Sequence, residues 1–250
     1  MRRLWQRGVK LANPDLDVWI ITGDGDALSI GGNHTTHLLR RNLNCQVLLF
    51  NNEIYGLTKG QYSPTSRIFT RSPSTPLGSV DRPANPCAFA LGSGGRFVAR
   101  GIDVHKNLVS VLEAAHAHPG TGFVEIVQNC IVYNDEVFAP FTEKPNAAGN
   151  QLWVEHGKLL LYATGTKGLA MDVERLTLKI VDVIDGDWQA AGVAVHDQTS
   201  RGLAHMLVDM PFGEFPMALG ILYDDPAPTF DSAVVEQNRQ ASAKKVADLQ

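Results

Sequence analysis

Two short apolar runs, Val18-Trp19-Ile20-Ile21 and Val47-Leu48-Leu49-Phe50, each end in a polar motif. The first is followed by Thr22-Gly23-Asp24-Gly25-Asp26, the second by Asn51-Asn52-Glu53-Ile54-Tyr55-Gly56. Runs of this length, rich in branched and aromatic residues, read as strands buried in a parallel sheet. Gly31 to Asn44 has the length of a crossover helix between them, so both motifs should emerge at one carboxyl edge. Open α/β folds bind their ligands at that edge. The Asp24 carboxylate, the Asn52 amide oxygen and the Ile54 backbone carbonyl are hard oxygen donors of the kind Mg²⁺ takes. Magnesium completes such a set with phosphate oxygens and water. The flanking glycines let the backbone approach a diphosphate closely.

The same alternation continues to about residue 150. Tyr62 to Pro86 reads as a loop rich in Pro, Ser and Thr. A short helix follows at Cys87–Leu91, then a strand around Phe97–Ala99. The next helix carries Val104, Leu108, Val111, Leu112 and Ala115 on one face and stops at Pro119-Gly120, ahead of a strand at Phe123–Val127. This order predicts an α/β fold, a mostly parallel sheet with helices on both faces. Beyond 151 the texture changes. Strands are expected at Leu159–Tyr162, Leu176–Val181, Val193–His196 and Ala218–Tyr223, and a terminal helix at Ser232–Leu249. The expected organisation is a core over 1–150 and a small α+β carboxyl-terminal extension over 151–250. Trp5 to Ala12 reads as the end of a helix begun upstream, so the chain is expected to start inside a fold.

Composition excludes several classes. A formal net charge of −4 lacks the basic excess of a nucleic-acid groove. No apolar run approaches the roughly 18 residues of a membrane span, and the basic start Met1-Arg2-Arg3 leads into Arg7 and Lys10 rather than a secretory core. The three cysteines, Cys45, Cys87 and Cys130, form no CxxC, which points to a reducing compartment, the cytoplasm.

Gly-Asp-Gly by itself is a common turn sequence. It is not a dinucleotide fingerprint, because Leu28 occupies the third glycine position. It is not a calcium loop either, because Leu28 and Thr35 stand where ligands are needed. Its weight comes from the Asn51-Asn52 pair one helix and one strand later. That spacing resembles the diphosphate-binding half of thiamine enzymes. The surrounding words GDGDALSIGGNH at 23–34, RRN at 40–42, NNEIYGLTKGQYSPTS at 51–66 and GSVDRPANP at 78–86 narrow it, as do FVARGID at 97–103 and FVEIVQNCIVYND at 123–135. Together they resemble the β subunit of a 2-oxoacid:ferredoxin oxidoreductase of the 2-oxoglutarate type.

The resemblance implies a thiamine diphosphate-binding fold and oxidative decarboxylation of a 2-oxo acid to an acyl-coenzyme A, with electrons passed to ferredoxin. It makes Asp24, Asn52 and the Ile54 carbonyl the Mg²⁺ ligands, and has Gly25, Asp26, Gly56 and Leu57 line the diphosphate. A loop lysine is ordinarily a solvated charge, but the resemblance gives Lys59 the 2-oxo acid's carboxylate. It makes Cys130 a ligand of a [4Fe–4S] cluster whose other ligands come from an amino-terminal segment this sequence lacks, so an amino-terminally truncated chain is expected. The thiamine and cluster sites, on different loops, are expected to be separable. Cys45 and Cys87 read as core residues. An α subunit is the implied partner and supplies the glutamate that activates the cofactor. His34 and His37 fall on the opening turns of the first crossover helix, facing either the phosphate site or the helix packing. Two other functions compete: a non-oxidative thiamine-dependent decarboxylase or carboligase, and a truncated, silent assembly module.

Overall fold

A computed structural model describes residues 8–247. Residues 8–12 are helical; Trp5 and Leu249, at the outer ends of the two expected terminal helices, lie outside the described residues. Among the described residues nine strands follow in two sheets. The six-stranded sheet is built from β1 (Trp19–Gly23), β2 (Cys45–Asn51), β3 (Phe97–Ile102), β4 (Thr121–Val127), β5 (Gln151–Val154) and β9 (Met217–Asp224), in the order β1-β2-β4-β3-β9-β5. The first four of that order run parallel, β9 is antiparallel to β3, and β5 is parallel to β9. β6 (Leu161–Tyr162), β7 (Lys167–Asp172) and β8 (Thr177–Asp182) form the antiparallel second sheet.

The central strands read as continuous apolar runs because both faces are covered. Val47, Leu49, Phe123 and Val98 point into one buried cluster with Leu39, Leu43 and Leu91. Leu48, Val124, Ile126, Phe97 and Ala99 point the other way, onto Val111 and Ala115 of the helix Leu108–Ala117. β1 differs: Trp19 and Ile21 on one face are exposed, and the Trp19 ring stacks on His116.

The sequence boundary at 150 does not separate two sheets, because β5 and β9 complete the sheet begun by β1 to β4. A four-residue strand such as β5 is too short to carry a periodic signal, and its partner lies more than sixty residues on. Among the described residues β6 to β8 form a separate sheet that is antiparallel throughout.

Asn42 ties three parts of the chain together. It ends the helix Gly32–Arg41 in the left-handed conformation, with φ of 49°. Its Oδ1 accepts from Thr121 N–H at 3.0 Å, at the start of β4. Its Nδ2 donates to Ala227 O at 3.0 Å, just before the terminal helix Phe230–Ala247. Left-handed backbone is tolerated by asparagine but disfavoured for alanine. Asn42→Ala should therefore destabilise the fold by about 2–4 kcal/mol, from unpaired buried groups and strain. Asn42→Gly should recover only the strain. Urea denaturation of both checks this; equal stability of Asn42→Ala and the parent would contradict it.

Candidate functional site

The parallel register sets Gly23 beside Phe50 and Asn51 beside Val127. The segments after β1, β2 and β4 therefore leave the sheet at one edge, which brings together residues 24–28, 51–61 and 128–135. The Gly-Asp-Gly segment does not form a loop: a helix, Asp24–Leu28, starts at once, with Gly23 as its cap.

Asp24 is buried. Its Oδ2 accepts from the Ser63 and Thr65 hydroxyls, each at 2.5 Å. Burial pushes its carboxyl above the usual carboxylate pKa, although both hydroxyls and backbone N–H groups oppose that shift. Among the described residues no lysine, arginine or histidine pairs with it. Buried carboxylates are generally paired or bound to metal, so a divalent cation fits what this group lacks. Asn52 Oδ1 accepts a long bond from Ile54 N–H, 3.4 Å, which leaves it lone-pair capacity for a metal. Ile54 is buried. The donor set of one carboxylate, one amide and one carbonyl suits a hard cation carrying phosphate and water. No cluster of three or more His, Cys, Asp or Glu that could hold a metal occurs among the described residues.

Gly25 serves a contact that the sequence did not reveal. A Cβ there would lie 2.1 Å from the Tyr55 ring, and the Tyr55 hydroxyl donates to Gly25 O at 3.1 Å. Asp26 accepts from Thr22 Oγ1 at 3.3 Å. Gly56 has open space beside it, and Leu57 is 99% exposed. Lys59 is exposed on left-handed backbone, φ 68°, where its N–H closes a turn onto Gly56 O at 3.0 Å. His34 is half-buried and His37 exposed on the helix Gly32–Arg41.

Glu53 is buried and left-handed, with φ of 54°. Arg67 Nε pairs with its Oε2 at 3.0 Å. Burial pushes the Glu53 carboxyl up to about 7 against the pull of Arg67, and Glu125 and Asp24 push the same way.

The Cys130 loop is tied to the segment 51–54. Asn134 Nδ2 donates to Asn52 O at 2.9 Å, and Gln128 N–H to Asn51 O at 2.9 Å. The Tyr133 ring lies 3.1 Å from where a Cβ on Gly60 would be. The two loops are thus joined by hydrogen bonds and packing. Cys45 and Cys87 are buried in the core, and burial pushes the Cys45 thiol up to about 12. Only Cys130 is partly accessible. A [4Fe–4S] cluster normally needs four thiolates, so these residues alone do not fit one.

Ser63, Thr65, Tyr55 and Asn134 lie within the motif segments 51–66 and 123–135, but their residue types alone announce no role. The available signal was the pair of hydroxyls two positions apart, Ser63 and Thr65, in Ser63-Pro64-Thr65-Ser66. Hydroxyl pairs with that spacing can converge on one acceptor, but a loop that rich in Pro and Ser reads first as a connector.

Residues 5–126 match the thiamine pyrophosphate enzyme C-terminal TPP-binding domain. The 2-oxoglutarate oxidoreductase subunit KorB of Mycobacterium tuberculosis is 41% identical over 97% of this chain. The chain belongs to the 2-oxoacid:ferredoxin oxidoreductase β-subunit family. It spans 66% of the length of the M. tuberculosis relative. A second member of the family, 2-oxoacid:ferredoxin oxidoreductase 1 subunit β of Aeropyrum pernix, is 45% identical over 54% of this chain and 42% of its own. The fold matches a solved 2-oxoglutarate:ferredoxin oxidoreductase from Magnetococcus marinus, with 2-oxoglutarate, coenzyme A and succinyl-CoA bound. The TM-score is 0.72 at 28% identity, over 99% of this chain and 72% of that one. The α/β fold expected from the strand pattern is thereby that of the family's thiamine-binding subunit.

The contact between Gly25 and Tyr55 gives a test of this geometry. Gly25→Ala should destabilise the parent by about 1–3 kcal/mol through overpacking, and much less on a Tyr55→Ala background. Additive losses in thermal or urea unfolding would contradict the contact.

Proposed function

We propose that this chain is the cofactor-binding β subunit of a 2-oxoacid:ferredoxin oxidoreductase that acts on 2-oxoglutarate, in the cytoplasm, with an α subunit as partner. The observation that carries the reading is the buried Asp24, which pairs with no lysine, arginine or histidine among the described residues, at the same sheet edge as Asn52 and Ile54. Asp24, Asn52 Oδ1 and the Ile54 carbonyl hold Mg²⁺. Gly25, Asp26, Gly56 and Leu57 border the diphosphate. Bound thiamine diphosphate supplies a nucleophilic carbon and an electron sink for decarboxylating 2-oxo acids.

The chain's own residues position and shield. The Ser63 and Thr65 hydroxyls hold the Asp24 carboxylate in one orientation, so that metal binding does not have to order it. The exposed Lys59 offers a point charge to the carboxylate of the 2-oxo acid. Cys130 is one ligand of a [4Fe–4S] cluster, with the remaining thiolates coming from outside these 250 residues. Ferredoxin takes the electrons and coenzyme A the acyl group. The substrate assignment is supported by the M. tuberculosis and M. marinus relatives, both named for 2-oxoglutarate. The cysteine-bearing loop hydrogen-bonded to the metal loop favours electron transfer over a non-oxidative decarboxylase, which has no need of it.

The complete complex should reduce ferredoxin in a 2-oxoglutarate- and coenzyme A-dependent reaction, with a higher kcat/KM for 2-oxoglutarate than for pyruvate. Carbon dioxide release without ferredoxin reduction would contradict the reading. Lys59→Ala should lose a charge-assisted contact of about 1.5–3 kcal/mol, roughly ten- to more than a hundred-fold in kcat/KM, with cofactor affinity unchanged. A change under twofold would return Lys59 to the solvated surface.

A further inference from the structure

Beneath the metal loop lies a buried polar cluster that none of the proposed site residues accounts for. Arg100 on β3 and Glu125 on β4 are paired across the parallel strands. Arg100 Nε donates to Glu125 Oε2 at 2.8 Å, with the two side chains only 4% and 3% exposed. Burying such a pair is expensive, and an apolar pair of similar volume would serve the fold as well. The remaining contacts of Glu125 show where its carboxylate acts. Oε2 also accepts from Cys87 Sγ at 3.1 Å. Oε1 accepts from Asn51 Nδ2 at 2.8 Å.

Asn51 is the last residue of β2, one position before the proposed metal ligand Asn52. With its Nδ2 held by Glu125, its Oδ1 accepts from Glu53 N–H at 3.2 Å. This side-chain turn spans Asn52 and holds Glu53 in its left-handed conformation, φ 54°, which a non-glycine residue adopts only when its surroundings impose it. The opposite side of the turn is fastened by Ser66 Oγ donating to Glu53 O at 2.5 Å and Asn134 Nδ2 donating to Asn52 O at 2.9 Å. The path of the backbone through this turn fixes where the Asn52 amide and the Ile54 carbonyl point.

We infer that Asn51 and Glu125 are positioning residues for the metal site. The Arg100-anchored Glu125 carboxylate grips the Asn51 amide, and Asn51 sets the turn that aims the oxygens of Asn52 and Ile54 at Mg²⁺. The two adjacent asparagines thus divide the work: Asn52 faces the cation, while Asn51 is turned into the sheet and never touches it. This rests on the thiamine reading of the site.

The test compares two neighbours on the same carboxylate. Asn51→Ala removes the link from Glu125 to the loop. Cys87→Ala removes another donor to Glu125 and leaves the loop alone. Each is assembled into the complete complex, and Mg²⁺ is titrated at saturating thiamine diphosphate, with the melting temperature recorded in parallel. Asn51→Ala should weaken Mg²⁺ binding at least tenfold. Cys87→Ala should lower the melting temperature and leave Mg²⁺ affinity within twofold. Should Asn51→Ala fail to fold, Asn51→Ser is read the same way, since its short hydroxyl cannot hold Glu125 and Glu53 N–H together. Unchanged Mg²⁺ affinity in the Asn51 variant, or an equal loss in Cys87→Ala, overturns the inference while the thiamine reading stands. Absence of Mg²⁺-dependent thiamine diphosphate binding in the parent complex overturns both.

Discussion

Parallel pairing of β1 with β2 and of β2 with β4 is the constraint on which the site depends. It sends three motif-bearing segments out of one edge of the sheet. Asp24, Asn52 and Cys130 are far apart in sequence, and no local structure would bring them together. The hydrogen bonds of the ladder do so at no expense in side chains, which leaves those of the motifs available for chemistry. The price is that the strands must be covered on both faces, and the apolar clusters above and below the central strands meet that demand.

On this frame the site is built in shells of polar contacts. The Asp24 carboxylate is oriented by two hydroxyls from the 62–86 loop. The Asn51–Glu53 turn is gripped from below by Glu125 and from the side by Ser66 and Asn134. Holding the donors in place before the ligand arrives means that binding energy is not spent on ordering them. The Cys130 loop shares this scaffold through Asn134 and through Tyr133 over Gly60. The two loops are thus fastened to each other at Asn52 and at Gly60.

The sequence made β1, β2 and β4 legible because their apolar runs are long and stop at polar motifs. It also singled out Asp24, Asn52 and Ile54, through a spacing that turns make only by chance, and the parallel register sets their segments at one sheet edge. The helix Asp24–Leu28 was not legible, because glycine and aspartate are poor helix formers and tertiary contacts hold it. Ser63 and Thr65 were hidden by distance along the chain, lying about forty residues from the carboxylate they touch. β5 was too short to announce itself, and with it went the continuity of the sheet across residue 150. The division of labour between Asn51 and Asn52 depends on which way each side chain leaves the strand, and two identical letters carry no record of that.

The central claim is that Asp24, Asn52 and Ile54 form one cation site. Crystals of the complete complex grown with thiamine diphosphate and Mn²⁺ in place of Mg²⁺ test it through anomalous diffraction. The account predicts a single Mn²⁺ peak in this chain, within coordination distance of the Asp24 carboxylate, Asn52 Oδ1 and the Ile54 carbonyl, and bonded to the diphosphate. A metal held by other residues, or an Asn51 amide swung away from Glu125 to take the place of Asn52, would contradict it.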